Sequence, residues 1–572
     1  TTGAVTAYPS VAAVTPLSID LDPFERTINR NSATISFHDD GPIRDFIAST
    51  RLLNRNVSIK LGTANLTTEL DWAPVFRGLV SKIETREGVI DIECRDFFHY
   101  TEKPYYGNWV NKHPLEVMKK LLEDQGVPSG FIDADTFDPT DSDYASIAHY
   151  VVTHWSSGPI LNPINVTGQH RVGYEPIKMA VQTICEDLAK AMVGSVFFQE
   201  DGKAKFLKFD TGATVRAHWG PDQIQDFAQL ETIIINEIDA KVTGAWLAEE
   251  DTFEGNVRFK DTTSQSNFAF PGESNGVFAQ SVGFNLMNFQ GVLQQPVTST
   301  GGITLRVQTP FGLSGSRVTG NYTAPGPWES LQASGTNLSG SRPLYVLVDS
   351  EVMKCVSMDL VENAALHPNE FNNAGTGTTL DVPKFADLTI TSGNRGALST
   401  VAATHTLPGD GVTLPAGRVF DVTMPRDFAL VQLQRFSNGV AVIELTTSLR
   451  EWAVQVGDFV TVENDVFLEF GSDGLTSSTS WEVIGKELRL DDSNASIKWR
   501  LAYATKSSPP SIIEGVFWDP DWIRRGVGVI PEIVYANEVE VGISRHVVKG
   551  LNVSVSSGLV VTVNAGAAAK GQ

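Results

Sequence analysis

Five aspartates close together in one polar stretch are the residues with the clearest potential to bind a metal ion. They are Asp133, Asp135, Asp138, Asp141 and Asp143. Oxygen ligands clustered in a loop suit Ca²⁺, but the stretch lacks the glycine at position six of an EF-hand loop, and Pro139 interrupts it. The pattern therefore favours solvated turn residues, and we predict no metal ligands and no cofactor.

The histidines and the remaining carboxylates show no spacing that is typical of a catalytic site. No HExxH motif is present. Glu200 and Asp201 are adjacent carboxylates of the kind that cleave glycans, but Asp201-Gly202 is typical of a hairpin turn. Neighbours in sequence also do not face each other across a cleft. We therefore interpret the histidines as structural and predict no catalytic residues and no enzyme activity. The histidines of the first half are His38, His99, His113, His149, His154, His170 and His218.

Aromatic and sulfur side chains give a few further candidates. The chain has 11 tryptophans, and Trp328 is the candidate for stacking on a sugar, although core packing is the favoured interpretation. Arg395 and His405 are interpreted as turn and packing residues. The three cysteines are far apart and form no CxxC or Cys/His cluster, so we expect buried, reduced thiols and neither a zinc site nor a disulfide. They are Cys94, Cys185 and Cys355.

Length, charge and hydropathy limit the possible classes of function. At roughly 100–200 residues per domain, the 572 residues correspond to about three to five domains. The net charge of −23 repels phosphates and argues against tight nucleic-acid binding. An acidic lumen would still let DNA pass without sticking, and solubility alone is the other explanation for the charge. No stretch approaches the roughly 18 apolar residues of a membrane span. The N-terminal residues lack the pattern of a signal peptide, so we expect synthesis in a cytoplasm without export by the usual route.

Alternating apolar and polar residues predict strands throughout residues 15–103. Val80, Ile83, Ile90 and Ile92 alternate on either side of Glu87-Gly88, which predicts a hairpin that closes a barrel of five or six strands. The other alternating runs are residues 17–21, 33–37 and 57–61.

A helix-plus-hairpin module is predicted next. Pro114 suits the first turn of a helix over 114–125, in which Leu115, Met118 and Leu122 share one face. A second helix is predicted over 174–192, followed by a hairpin over 196–207 that turns at Asp201-Gly202.

The second half of the chain is again rich in strands. Residues 231–242 predict one strongly apolar strand, and 342–505 return to strong strands. Between them, residues 250–340 are dominated by Gly, Ser, Thr, Asn and Phe, which indicates an inserted β domain or an extended set of loops. Residues 551–563 largely alternate with period two and predict a small β module that a neighbour could extend.

Several motifs, taken in their order along the chain, resemble those of the hub and minor tail proteins at the tail tip (baseplate) of long-tailed bacteriophages. The helix and hairpin at 174–209 are similar to the central module of that family, and 555–561 to the start of a fibre-attachment module. The resemblance covers about two thirds of the chain and leaves out 250–340. The motifs are VFRG at 75–78 with CRD at 94–96, Asn236 in IIINEI, residues 348–353, Arg395-Gly396 with Thr400 and His405, residues 456–460, and residues 481–484.

The resemblance implies a fold class and a domain order. The fold would be mainly β and multidomain (α+β), with two tail-tube-like β-barrels, a small helix-plus-hairpin module, an inserted β domain and a C-terminal β extension. Strand 231–242 would pair with strands from 342–505, and the insert would loop outward. The implied ranges are 1–105 for the first barrel, 106–215 for the α+β module, 216–245 with 342–510 for the second barrel, 246–341 for the insert and 511–572 for the extension.

The same resemblance implies a structural function at the distal end of the virion tail. Three chains, with two similar barrels each, would form a pseudo-sixfold ring that caps the tail tube, lines part of the DNA exit channel and anchors host-recognition fibres. The implied partners are two further copies, the tail tube and distal tail proteins above, fibre or tip proteins through 511–572, passing DNA without tight binding, and a host-surface glycan at the insert. The alternative is a glycan-binding or glycan-depolymerising tail enzyme, which would need a pair of carboxylates facing a cleft.

Overall fold

The structure is a computed structural model of the chain, and it confirms the prediction of a mainly β, multidomain protein. It describes residues 11–15, 17–28, 32–39, 41–61, 72–103, 109–147, 150, 152–154, 180–210, 214–242, 255–270, 273, 276–284, 290–293, 295–308, 338–340, 343–362, 384–405, 418–469, 472–475, 479–490, 495–504, 512–517, 533–536, 539–542, 551–556 and 560–565.

The N-terminal region forms a five-stranded antiparallel sheet in the order β1-β3-β6-β5-β4. The predicted hairpin is present, because β5 and β6 pair on either side of Glu87-Gly88. Gly88 has φ +79°, a conformation that is costly for residues with a Cβ. The strands are β1 (Val11–Val14), β3 (Ser32–His38), β4 (Asn56–Leu61), β5 (Ala73–Arg86) and β6 (Val89–Arg95).

A second sheet, of seven strands, contains the largest buried aromatic side chains. Its order is β11-β24-β27-β28-β23-β12, and β2 pairs with β27. Trp219, Trp481 and Trp499 are fully buried, and the rings of Trp219 and Trp499 lie 5.0 Å apart. The strands are β2 (Leu17–Asp20), β11 (Val215–Trp219), β12 (Ile224–Ile233), β23 (Val440–Ser448), β24 (Phe459–Val462), β27 (Ser480–Leu490) and β28 (Ala495–Tyr503).

Two further sheets contain the strands of the middle of the chain. A four-stranded sheet has the order β15-β13-β14-β29, with β13 (Glu237–Val242), β14 (Gly255–Asp261), β15 (Ala279–Phe284) and β29 (Ile512–Phe517). The other has seven strands in the order β19-β18-β22-β16-β17-β21-β20, and we call it the third sheet. Its strands are β16 (Gln290–Leu293), β17 (Ile303–Gln308), β18 (Leu344–Val348), β19 (Glu351–Cys355), β20 (Ser357–Glu362), β21 (Lys384–Ile390) and β22 (Arg418–Asp421).

Isolated strand pairs complete the β structure of the described residues. β9 and β10 form the predicted hairpin at Asp201-Gly202, where Gly202 has φ +81°. The predicted C-terminal β module is present as the pair β32–β33. The pairs are β7 (Trp109–Lys112) with β8 (Val152–His154), β9 (Gly194–Phe198) with β10 (Ala204–Lys208), β25 (Asn464–Glu469) with β26 (Ser472–Leu475), β30 (Ile533–Ala536) with β31 (Val539–Gly542), and β32 (Leu551–Ser556) with β33 (Val560–Ala565).

Two of the helices were predicted from the sequence, and others were not. In α2, the side chain of His113 caps the N-terminus by accepting from the backbone N–H of Leu115, and Pro114 occupies the first turn. In α3, Ala180 is still extended, so the helix begins at Val181, whereas the predicted residues 174–179 lie outside the described residues. The helices α1 and α5 lie in regions where only strands were expected. The helices are α1 (Gly41–Ser49), α2 (Pro114–Asp124), α3 (Val181–Ala191), α4 (Thr262–Asn267) and α5 (Thr423–Phe436). No helix in the described ranges is long and apolar enough to cross a membrane.

The prediction of one strand over 231–242 is wrong, because the chain breaks at Asn236. The buried Asn236 side chain donates to the carbonyl of Gly276 at 2.8 Å and accepts from the N–H of Phe278 at 2.8 Å. These bonds redirect the backbone between β12 and β13. β12 pairs with β23, from the range 342–505 as predicted, while β13 pairs with β14 and β15.

Strand pairing connects the predicted domain ranges to one another. β2, from the range 1–105, pairs with β27 of the second sheet. β16 pairs with β22, and β14 pairs with β29, so strands of the range 246–341 join strands from both later ranges. The boundaries of the five domains therefore stay predictions.

Three charged side chains from distant parts of the sequence meet in the core, and we call them the arginine–glutamate triad. Arg26 Nη1 donates to Glu482 Oε1 at 2.5 Å, and Arg435 Nη1 lies 2.7 Å from Glu482 Oε2. Each side chain is 1% exposed. Both guanidinium groups also lie over the ring of Phe209, at 5.2 Å for Arg26 and 4.5 Å for Arg435. Burial acts to raise the pKa of Glu482, but the two arginines outweigh it and lower that pKa.

Apolar and backbone contacts dock the loop that carries Arg26 onto α5. The Asp22 carboxylate accepts from the N–H groups of Phe24 and Glu25 at 2.8 and 2.7 Å, which fixes the turn. The ring of Phe24 packs edge-on against Phe428 and Phe436 at 5.7 and 6.0 Å. The amide of Gln432 donates to the carbonyl of Phe24. The triad therefore joins the N-terminal segment, α5 and the second sheet.

Removal of the carboxylate from the triad should destabilise the protein strongly. Glu482→Gln leaves two buried guanidinium groups without a countercharge, which is expected to cost about 3–5 kcal/mol in the free energy of unfolding. Denaturant unfolding followed by tryptophan fluorescence measures the loss. The matched control is Glu444→Gln on β23, because Glu444 pairs with Lys498 at 2.6 Å and both side chains are about a quarter exposed. This control should cost less than about 1 kcal/mol. Equal losses in the two variants would contradict a special role for the buried triad.

Candidate functional site

Four polar side chains converge at the turn between β18 and β19, and we call them the Glu351 centre: Asp349, Glu351, Arg395 and His405. Glu351 is fully buried at the start of β19, and Asp349 has φ +50°, which an aspartate in a turn tolerates. Arg395 Nε and Nη2 bind the two oxygens of Glu351 at 2.6 and 2.7 Å. This two-point geometry is the strongest form of an arginine–carboxylate pair.

Every donor nitrogen of Arg395 has an acceptor. Besides its two bonds to Glu351, Arg395 donates through Nη1 to the carbonyls of Ser299 and Gly301 at 2.8 and 3.1 Å. Through Nη2 it donates to the carbonyl of Ala403 at 2.6 Å. Arg395 therefore ties the turn before β17 and the loop after β21 to the β18–β19 hairpin.

His405 bridges the two acidic residues of the centre. Its Nδ1 lies 2.7 Å from Asp349 Oδ2, and its Nε2 lies 2.9 Å from Glu351 Oε2. Ionised carboxylates only accept hydrogen bonds, so both ring nitrogens carry a proton in this geometry. Burial acts to lower the pKa of His405, but its hydrogen bonds to Asp349 and Glu351 outweigh burial and raise it.

The Glu351 centre is built to hold backbone in place and not to transfer protons. The carboxylate of Glu351 accepts from the N–H groups of Gly396 and Ala403 at 2.8 and 2.9 Å, in addition to Arg395 and His405. Burial acts to raise the pKa of Glu351, yet these hydrogen bonds lower it to about 2. A carboxylate with so low a pKa and with its lone pairs occupied has no capacity to act as a general acid or base near neutral pH.

The centre unites two of the sequence motifs. Arg395 and His405, predicted as turn and packing residues, lie in the loop after β21, and Thr400 of the same motif accepts from the N–H of Val352 at 3.0 Å. Residues 348–353 form one of the sequence motifs, but no role was predicted for Asp349 or Glu351. The signal was an acidic pair at a two-residue turn, with Asp349 inside the turn and Glu351 directly after it, and its partners are 44 to 56 positions away in sequence.

The aspartates considered for calcium are turn residues in the structure. Asp138 accepts from both the N–H and the hydroxyl of Thr140, at 2.8 and 2.7 Å, which lowers the pKa of Asp138. Asp141 accepts from the N–H of Asp143 at 2.9 Å. Within the described segments, no three His, Cys, Asp or Glu side chains are grouped so as to hold a metal ion.

Glu200 and Asp201 have separate roles. Asp201 accepts from the N–H of Lys203 at 2.9 Å, as expected for the hairpin turn. Glu200 is buried and pairs with Lys486 at 2.7 Å, and Lys486 also donates to the carbonyl of Trp452 at 2.7 Å. The two carboxylates therefore do not act on a common ligand.

The remaining sequence candidates are dispersed. His38 and His218 are exposed, and His113 caps α2. The three cysteines are buried and free, as predicted, and burial raises the pKa of the Cys94 and Cys355 thiols to about 12 and also raises that of Cys185. His149, His170 and Trp328 lie outside the described residues, and no side-chain placement is described for His99 and His154.

The most accessible extended surface in the described residues is β12, at one edge of the second sheet. β12 pairs with β23 and has no second partner among the described strands. Seven of its ten residues are exposed, and the other three, Ile224, Phe227 and Ile233, are half-buried and pack against the main core. Leu230 is 45% exposed. Unpaired edges of this length offer backbone donors and acceptors to a strand from another chain.

Two irregularities and several carboxylates give this edge a specific character. The register with β23 shifts between Ile224 and Asp226 and again between Gln229 and Glu231, which are β-bulges that increase the local twist. Asp226 and Glu231 are exposed on β12, and residues 220–240 contain no lysine or arginine. The edge is therefore twisted and acidic, and it suits a partner strand of matching twist.

The charge of His405 should control local stability in the loop over 391–405. Because the folded-state pKa is raised above 6.5, the contribution of the charged ring is complete below pH 6.5 and is lost as pH rises through the raised pKa. Hydrogen-exchange protection of the Gly396 and Ala403 amides, corrected for intrinsic rates, should fall as pH rises from 6.5 through the raised pKa of His405. The fall should be roughly tenfold for each unit by which the pKa is raised.

The variant His405→Gln should show lower protection at pH 6 and no loss as pH rises above 6.5. In both wild type and this variant, the protection of these amides should also decrease below pH 4.5. The stabilising contribution of Glu351 is present above its usual pKa of 4.5 and is lost as pH falls toward about 2. His38→Gln is the control, because His38 is exposed at the end of β3. The same alkaline loss in wild type and His405→Gln would contradict this assignment.

Comparisons with known proteins give structural neighbours only. No family model matches the chain, and no curated protein matches it. The chain is similar to a solved tail protein from Neisseria meningitidis MC58, with 10% identity, a TM-score of 0.37 and coverage of 86% of this chain and 92% of the other. It is similar to the 43 kDa tail protein of prophage MuSo2 from Shewanella oneidensis, with 7% identity, a TM-score of 0.34 and coverage of 88% and 96%. A prophage tail protein from Listeria monocytogenes EGD-e has 9% identity, a TM-score of 0.29 and coverage of 86% and 89%. These neighbours are tail proteins, the class that the sequence motifs resemble.

Proposed function

We propose that the chain is a structural hub at the distal end of a bacteriophage tail, in which three copies form a ring that caps the tail tube. The observation that carries this proposal is the open edge of β12, a ten-residue strand with seven exposed residues and one partner strand among the described strands. The motifs that resemble hub proteins support it independently, because they follow the family order from residue 75 to residue 561.

A second copy of the chain is the partner that best fits this edge. A strand with bulges at two places pairs well only with an edge of similar twist, and closed rings of identical chains provide the same complementary edge at every interface. The second sheet would then continue from one copy into the next, with β12 at the junction. The tail tube and distal tail proteins would contact one end of this ring.

The distribution of charge supports a channel through which DNA passes without tight binding. Asp222, Asp226 and Glu231 are exposed on and beside β12, and three copies multiply the net charge of −23. Carboxylates at a ring interior repel phosphates, so they lower the affinity of the wall for DNA.

The C-terminal range 511–572 is the proposed attachment point for fibre or tip proteins. It contains the strand pairs β30–β31 and β32–β33, and its first strand, β29, pairs with β14. Two-strand units of this kind are only marginally stable alone and gain stability when a neighbour adds strands. The proposal also includes the binding of a host-surface glycan by the range 246–341, as inferred from the sequence.

The proposed role is structural and does not require catalysis. The Glu351 centre has its carboxylate saturated with donors, and Glu200 is paired with Lys486. Both acidic groups therefore serve to position the chain, which is the property that a ring subunit requires.

Blocking the β12 edge should prevent assembly. We expect wild-type protein to show a species of three times the chain mass of 62.1 kDa in size-exclusion chromatography with light scattering. Leu230→Lys places a charge on the exposed edge, which disfavours strand addition, and should shift this species to the monomer. Circular dichroism should stay unchanged, because Leu230 is 45% exposed.

Val401→Lys is the matched control, because Val401 is an exposed apolar residue, at 80%, in the loop of the Glu351 centre and away from β12. This variant should keep the trimer. A trimer that survives Leu230→Lys would contradict assembly through β12, and a wild-type chain that stays monomeric at every concentration would contradict trimer formation by the free chain.

A further inference from the structure

We propose that the arginine–glutamate triad encloses one small monovalent inorganic anion of the halide class, held between Arg26 and Arg435. This site is separate from the proposed assembly surface and does not depend on the hub function. The proposal is based on the charge balance of the triad, its hydrogen bonding and the aromatic rings that surround the two arginines.

The triad has one more positive than negative charge. Two guanidinium groups face the single carboxylate of Glu482, and all three side chains are 1% exposed. Among the described residues, the charges that act on Arg435 are those of Glu482 and Arg26, and those that act on Glu482 are the two arginines. An uncompensated charge at this depth costs several kcal/mol, because the low-dielectric interior does not replace its hydration. A monovalent anion balances the triad.

The triad also has more hydrogen-bond donors than acceptors. In the described part of the chain, Nε and Nη2 of Arg26 and Nε and Nη2 of Arg435 have no acceptor. Nη1 of Arg435 lies 2.7 Å from Glu482, but its N–H does not point at the oxygen. If that contact is counted as a bond, four donor nitrogens still lack acceptors. This differs from the Glu351 centre, where every donor nitrogen of Arg395 is used.

The surroundings of the two arginines select a small ligand. The ring of Phe209 lies under both guanidinium groups, and Phe436 lies 5.1 Å from Arg435, so aromatic rings cover the guanidinium faces. The N–H groups point outward in the guanidinium plane, and aromatic edges, which carry partial positive charge, also tolerate an anion. Burial of all three side chains excludes a nucleotide or a sugar phosphate. A halide accepts from several donors at once and has the single charge that the triad lacks.

A bromide derivative tests the site directly. Crystals of the full chain grown in bromide should show an anomalous peak within hydrogen-bonding distance of Arg26 and Arg435. Ordered water at this position, or no density, with no anomalous signal would overturn the proposal. This measurement uses wild-type protein, so it does not depend on whether any variant folds.

Anion-dependent stability provides a second test in solution. At constant ionic strength, replacement of methanesulfonate by chloride should stabilise the protein. Above the dissociation constant, each tenfold rise in chloride should lower the unfolding equilibrium constant tenfold. Arg435→Met removes the surplus charge and leaves a neutral Arg26–Glu482 pair, so the dependence on chloride should disappear.

Arg306→Met is the matched control, because Arg306 pairs with Asp387 at 2.7 Å in the third sheet and is 24% exposed. This control should keep the wild-type dependence on chloride. An equal dependence on chloride in wild type and Arg435→Met would indicate a general salt effect and would overturn the proposal.

Discussion

Two buried guanidinium groups facing one carboxylate fix how the N-terminal segment, α5 and the second sheet meet. Arg26, Arg435 and Glu482 come from three distant parts of the sequence, and each would be strongly destabilising in the core without the others. Apolar contacts tolerate small shifts of the packed elements. A buried charge that is displaced from its partner is strongly destabilising. The triad therefore selects one docking of α5 among the arrangements that hydrophobic packing alone would allow, and the edge strand β12 depends on that docking through β23, β28 and β27.

The two buried ionic groups solve different structural problems. The Glu351 centre uses a carboxylate with many donors to hold irregular backbone, because the loop over 391–405 and the turn near Ser299 contribute carbonyls and amides that no strand satisfies. Its charges and hydrogen bonds are matched within the chain. The triad instead joins regular elements and has surplus charge and surplus donors. An identical residue type thus serves as a fully satisfied clamp at Arg395 and as an incompletely satisfied joint at Arg435.

Local patterns predicted the elements whose stabilising partners are close in sequence. The hairpins at Gly88 and Gly202 and the helix α2 follow from alternation, turn residues and a capping residue, and all of these act within a few positions. Helix α5 was missed because its buried face includes Gln432 and Arg435, which interrupt the apolar stripe. The break at Asn236 depends on hydrogen bonds to Gly276 and Phe278, about 40 positions away. The residues next to Asn236 in the sequence do not indicate these contacts. The Glu351 centre was visible as two separate motifs, but the contact between them exists only in the folded chain.

An interior fixed by buried charges and the open strand edge of β12 would complement each other in the proposed assembly. A free edge of ten residues invites unspecific pairing, and the carboxylates and bulges of β12 oppose it by repulsion and by twist. The carboxylates and bulges also restrict which strand could pair with β12. Such a strand must match the twist and place neutral or basic residues opposite Asp226 and Glu231. Only a rigid sheet presents such an edge in one geometry, so the specificity of the proposed assembly would depend on the buried ion pairs behind this edge.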